Sequence, residues 1–84
     1  MTHNQIVGEY LKEIRTDKGY SLQYVADRIG RSRYTYRDYE TGETEMYWSM
    51  YLKVCSALDI DPIQLSSRVL TDPRLDRSDD DRKK

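Results

Sequence analysis

Arg28, Arg31, Arg33 and Arg37 stand within ten residues that contain no acid, and Tyr34, Tyr36 and Tyr39 are interleaved with them or follow directly. A guanidinium presents a rigid fork of N–H donors that matches either two phosphate oxygens or the O6 and N7 edge of guanine. A phenol between such groups can bond a phosphate or pack on a thymine methyl. Asp38, next in line, can accept from a cytosine amino group or hold an arginine in place. The whole chain carries 14 Lys+Arg against 15 Asp+Glu, a net charge of −1. The positive charge is therefore concentrated in one segment, and the net charge says little about that face.

Other reactive residue types are scarce. Cys55 is the single cysteine, which excludes an intrachain disulfide and a thiol pair for zinc; a buried core position is expected for it. His3, the single histidine, is expected to be exposed near a frayed N-terminus. The pair Asp59 and Asp61 reads as helix capping, and Asp79–Asp81 as a solvated charge run. No Gly-rich phosphate loop, metal cluster or nucleophile–base pair is visible, so no enzyme, cofactor or metal is expected. No apolar run reaches the length of a membrane span. The opening "MTHNQIVGEY" has neither a basic n-region nor an apolar h-region, so a cytoplasmic location is expected.

The arginines need elements to hold them. The chain has 84 residues, 37% apolar and 35% charged, which suits one small domain. With no Phe and eight Tyr among nine aromatics, tyrosine must fill part of the core. Ile6, Val7, Leu11 and Ile14 recur at helical spacing, with Asn4 as the expected cap and Gly19 as the stop. Ser21 caps a second helix with Leu22, Val25, Ala26 and Ile29 on one face, and Gly30 ends it. Ser32 caps a third, from about Arg33 to Glu40, stopped at Gly42. Trp48, Leu52, Cys55 and Leu58 predict the buried stripe of a fourth. In a fifth, Asp61 is the cap, Pro62 takes the first helical position, and Ile63, Val69 and Leu70 are expected to be buried.

These segments predict an all-α domain of five short helices over residues 1–70. Residues 71–84 hold five positive and five negative charges and one leucine, and are expected to be disordered or ordered only by a partner. On the third helix, Arg33, Tyr34, Arg37 and Asp38 fall within a sector of about 140°, with Tyr36 and Tyr39 opposite, facing the core. Two short helices joined by a glycine-containing link, with the charged face on the second, have the form of a helix-turn-helix.

The segments "LKEIRTDKGYS", "VADRIGRS", "YETG" and "KVCSALDIDPIQL" stand in an order and spacing that resembles the lambda-repressor-like, Cro-type (XRE) helix-turn-helix domains, over about Val7 to Leu65. The resemblance implies a compact five-helix fold with the third helix in the major groove of double-stranded DNA. By position it implies base reading by Arg33, Tyr34 and Asp38, and Arg37, on the same outward sector, is expected to read with them. It implies phosphate contacts by Ser32, Thr41 and Gly42; Arg28 and Arg31, which flank the helix, and Gln23 are expected at phosphates as well. A homodimer on near-palindromic sites is implied too, through a surface near Ile63, Val69, Leu70 and Leu75. The chain departs from the family pattern at Leu22, Asp38 and the loop Thr41-Gly42-Glu43, where Gln, a neutral or basic residue, and Asn-Gly-Lys are common. Tyr36 and Tyr39 stand at usually aliphatic positions. These departures imply modest, salt-sensitive affinity. The alternative is a protein-interaction module on the same fold, such as an antitoxin, an antirepressor-like protein or a phage inhibitor.

Overall fold

The sequence folds as five helices in a computed structural model that describes residues 1–76: α1 (His3–Asp17), α2 (Leu22–Ile29), α3 (Arg33–Thr41), α4 (Trp48–Leu58) and α5 (Pro62–Leu70). No strand occurs among the described residues. α1 packs on α3 and α5, α2 on α3 and α4, and α4 on α5. The helices are too short to persist alone, so the shared core holds them. Ile6, Leu11, Val25, Ala26, Tyr36, Val54 and Leu58 are wholly buried at its centre.

Local signals set most of the helix ends. Ser21 accepts from the Tyr24 N–H at 3.0 Å, Ser32 from Thr35 at 3.1 Å and Asp61 from Ile63 at 2.9 Å. α2 and α3 each stop at a glycine in the left-handed region, Gly30 at φ 73° and Gly42 at φ 82°. α1 begins before the expected Asn4 cap. Thr2 Oγ1 accepts from Gln5 N–H at 3.2 Å and Gln5 Oε1 from Thr2 N–H at 2.9 Å, a reciprocal capping box that places His3 inside the helix.

α1 and the end of α3 approach backbone to backbone. A Cβ on Gly8 would sit 2.1 Å from the Glu40 carbonyl oxygen, so only glycine lets the two backbones meet. Two turns further along α1, Arg15 grips the same Glu40: Nε to Oε2 at 2.6 Å and Nη2 to Oε1 at 3.1 Å. Its Nη1 donates to the Tyr20 carbonyl at 2.8 Å, tying the α1–α2 turn to the same point. Arg15 and Glu40 are both buried, and the carboxylate raises the guanidinium further above its ordinary value. Beside them lies the Tyr36 hydroxyl, the buried polar side-chain atom without a hydrogen-bond partner among the described residues. Burial, and then the adjacent Glu40 carboxylate, push its ionisation far above the ordinary tyrosine value.

Tyr36 and Tyr39 face the core as expected, and Cys55 is buried, its thiol pushed up to about 11 by desolvation. The expected α4 and α5 stripes need correction. α4 buries Met50, Tyr51, Val54, Cys55, Ala57 and Leu58, while Trp48 (59% exposed) and Leu52 (37%) lie off that face. Trp48 instead stacks on Tyr51 at 5.3 Å. On α5 the buried pair is Leu65 and Val69, and Ile63 (68% exposed) and Leu70 (55%) point outward. Residues four apart make the buried row, which Ile63 and Leu70 miss.

The charged segment after α5 also departs from expectation, because residues 71–76 fold back on α1. Leu75 joins the core. Asp72 accepts from Tyr10 Oη at 2.5 Å and pairs with Arg74 at 2.8 Å, and Arg74 reaches Glu9 at 2.6 Å. The Met1 ammonium donates to the Arg74 carbonyl, and the Asp76 N–H to the Met1 carbonyl, each at 2.7 Å. One leucine and a carboxylate with several donors suffice to seat a segment whose composition looked unable to order itself. Residues 77–84 of the expected tail lie outside the described residues.

Three outcomes test this account by chemical denaturation. Gly8→Ala loses about 1–3 kcal/mol, because the added methyl meets backbone. Arg15→Met loses about 3–5 kcal/mol by stranding the Glu40 carboxylate, and Arg15→Met with Glu40→Met loses less than that single change. Asp72, held below the usual carboxylate range by Arg74 and Tyr10, stabilises the fold fully above about pH 5 and loses that contribution as pH falls through the ordinary range near 4 and below. Asp72→Asn therefore has a flatter stability profile in acid than the parent chain; parallel profiles would remove Asp72 from that role.

Candidate nucleic-acid interface

α2, the Gly30–Ser32 turn and α3 place the arginines. Gly30 ends α2 in the left-handed region, and the Arg31 N–H returns to the Ala26 carbonyl at 3.0 Å, which turns the chain sharply into α3. Val25, Ala26 and Ile29 on α2, with Tyr36 and Tyr39 on α3, bury the facing sides. The outer side of α3 is left to Arg33, Tyr34 and Arg37, all exposed, with Asp38 at its edge.

These side chains form one cluster. The Arg33 guanidinium lies 5.2 Å and that of Arg37 5.9 Å from the centre of the Tyr34 ring. Arg33 Nη2 also donates to Tyr34 Oη at 3.3 Å, and Arg37 Nη2 lies 3.6 Å from Asp38 Oδ1. A second stack runs along α2, where Tyr20 and Tyr24 rings sit 4.4 Å apart and Arg28 covers Tyr24 at 5.4 Å. Arg31 is exposed at the turn. Lys53 on α4 shares a shallow depression with Arg28 and adds a cation that the sequence reading passed over, being a lone lysine on a helix read only for its apolar stripe.

The expected phosphate contacts are unevenly placed. Gln23 is exposed but its amide donates to Asp27 at 2.8 Å. Ser32 Oγ donates to Thr35 Oγ1 at 3.0 Å while accepting from the Thr35 N–H, so both its roles are internal. In the loop after α3, the Gly42 N–H goes to the Tyr39 carbonyl, and those of Glu43 and Thr44 to the Asp38 carbonyl. These three donors are spent within the chain on the end of α3. A Cβ on Gly42 would also come 2.8 Å from Gln5 Cγ, so this glycine serves helix termination and packing on α1. Thr41 is exposed, its hydroxyl donating to the Asp38 carbonyl at 3.2 Å. Of the residues expected at a dimer surface, Val69 and Leu75 are consumed by the core, and Ile63 and Leu70 are on the surface.

No helix among the described residues is long and apolar enough to cross a membrane, and no group of three or more His, Cys, Asp or Glu side chains among them is placed to hold a metal ion.

Comparison with known proteins agrees with this geometry. A family model described as a helix-turn-helix domain matches residues 6–67. The chain is 42% identical over 53 residues to the SPbeta prophage-derived uncharacterized HTH-type transcriptional regulator YonR of Bacillus subtilis strain 168. That match covers 63% of this chain and 49% of the relative, so the chain spans about half that protein's length. Among solved structures, the restriction-modification controller protein C.AhdI of Aeromonas hydrophila has a TM-score of 0.69 at 34% identity, over 73% of this chain and 92% of that one. The clp gene regulator ClgR of Corynebacterium glutamicum has a TM-score of 0.82 at 22% identity, over 96% of this chain and 86% of that one, and shares the fold. With the charged outer face of α3, the tight Gly30 turn and these likenesses, the chain belongs to the helix-turn-helix family, in its lambda-repressor-like, Cro-type branch.

Proposed function

We propose that the chain is a sequence-specific regulator of transcription that lays α3 in the major groove of double-stranded DNA, binds as a homodimer, and acts in the cytoplasm of a bacterium or on behalf of a phage. The exposed Arg33–Tyr34–Arg37 cluster on α3 carries the reading. Arg28 and Arg31 flank it and supply sequence-independent attraction to phosphates. Occupancy of an operator then excludes or recruits polymerase.

The dimer surface we propose lies beside the buried Tyr51, whose hydroxyl links α4 to the Pro62 carbonyl at 2.8 Å. Tyr47 and Trp48 at the start of α4 and Ile63 at the start of α5 are large, apolar and exposed. Such side chains are costly to leave in water and suit an isologous contact between copies.

The acids at Asp38, Glu43 and Glu45, and the inward-facing N–H groups after α3, favour a second reading as a module that binds another protein. Salt separates the two. Each phosphate contact adds about −0.9 to the slope of log affinity against log salt on duplex DNA.

Fluorescence anisotropy on the preferred duplex gives the test. Arg33→Ala costs about 1–3 kcal/mol there and relaxes the preference at one base pair. Arg28→Ala and Arg31→Ala weaken all sequences alike, and each reduces the salt slope by about 1. A salt slope near zero for the parent chain would move the function to the protein-binding reading. Ile63→Asp gives a folded chain that sediments as a monomer if this surface makes the dimer; an unchanged dimer would place the contact elsewhere.

A further inference from the structure

Tyr34 stands at a position from which a side chain could touch a base, yet its contacts are with its own neighbours. The residue is 62% exposed, and both arginines of the outer face lie against its ring. The hydroxyl accepts from Arg33, and Arg37 Nη2 lies 3.6 Å from the Asp38 carboxylate. Exposed arginines otherwise sample many rotamers, and ordering them opposes binding. We propose that Tyr34 is a positioning residue that holds Arg33 and Arg37 as a matched pair, so that α3 reads two guanine-containing base pairs in fixed register. This rests on the DNA-binding reading of α3.

The register follows from helix geometry. Positions i and i+4 are about 6 Å apart along the axis, close to two base-pair steps of about 3.4 Å. Two forks aimed at that spacing recognise two guanines together. The restraints on the forks differ. Arg33 is held by the ring face and by a hydrogen bond to the hydroxyl, whereas Arg37 is held by the ring face and by the Asp38 carboxylate. Removing the hydroxyl alone therefore loosens only Arg33, which keeps the ring face, and removing the ring loosens both.

Two measurements on Tyr34→Phe and Tyr34→Ala test this. In the free protein, NMR relaxation of the arginine Nε–H groups should show Arg33 and Arg37 restricted in the parent chain. Tyr34→Ala should mobilise both and Tyr34→Phe only Arg33. On the selected duplex, with each base pair substituted in turn, Tyr34→Ala should lower discrimination about two- to fivefold at both base pairs that respond to Arg33→Ala and Arg37→Ala. Tyr34→Phe should do so at the Arg33 pair alone. Tyr34 lies on the surface, and unchanged melting of the variants confirms that the fold is intact. Loss of preference at a third base pair, untouched by either arginine variant, would make Tyr34 a direct reader and overturn the proposal. Unchanged arginine mobility would overturn it as well. If the parent chain selects no duplex, the DNA reading falls by itself, and the relaxation data still decide whether Tyr34 orders the pair.

Discussion

The structure depends on a single buried junction where α1 crosses the end of α3. Gly8 lets the two backbones touch, and Arg15 closes on Glu40 with two hydrogen bonds and on the Tyr20 carbonyl with a third. A buried ion pair adds little net stability, because desolvating two charges costs about what their attraction returns. Its value lies in exclusion. Any rotation of α3 about its axis, or slip along α1, would strand a carboxylate and a guanidinium in an apolar core. The junction therefore fixes which face of α3 looks outward, and the face it leaves outward bears Arg33, Tyr34 and Arg37.

From that constraint the electrostatics follow. The chain is nearly neutral, and no long-range field favours nucleic acid. Positive charge is displayed on four exposed arginines along α2, the turn and α3: Arg28, Arg31, Arg33 and Arg37. Tyrosine has two uses on this helix. Tyr36 and Tyr39 fill core space, at the cost of one buried hydroxyl without a hydrogen-bond partner among the described residues. Tyr34 lies between charges on the surface. The acids after α3 oppose the arginines, so the interface combines directed attraction with local repulsion, a balance that favours selectivity over tight non-specific binding.

Much of this was legible in the residues. Helix starts and stops at Ser21, Gly30, Ser32, Gly42 and Asp61 are short-range chemistry, and so is the inward turn of Tyr36 and Tyr39. Most of the misses are those where distant residues decide. Gly8 looks like a weak spot in a helix until the Glu40 backbone is seen against it. Nothing local in the sequence joins Arg15 to Glu40, since their pairing spans 25 positions. Trp48 and Leu52 fit a core stripe by spacing alone, but an eleven-residue helix has several possible apolar faces and only packing on α2 and α5 selects one; Ile63, in the first turn of α5, lies off the buried row of Leu65 and Val69. Asp72 and Leu75 lie in a run of charges that hides one leucine and one well-satisfied carboxylate. The Thr2–Gln5 capping box was visible in principle, as Thr-x-x-Gln, and was outweighed by the nearer Asn4.

Selection of binding sites from a random duplex pool, followed by affinity on the enriched duplex at two salt concentrations, tests most directly whether α3 reads DNA. The account predicts a near-palindromic motif with half-sites about one helical turn apart and affinity that falls steeply as salt rises. A pool that stays random, with weak binding indifferent to salt, would contradict it.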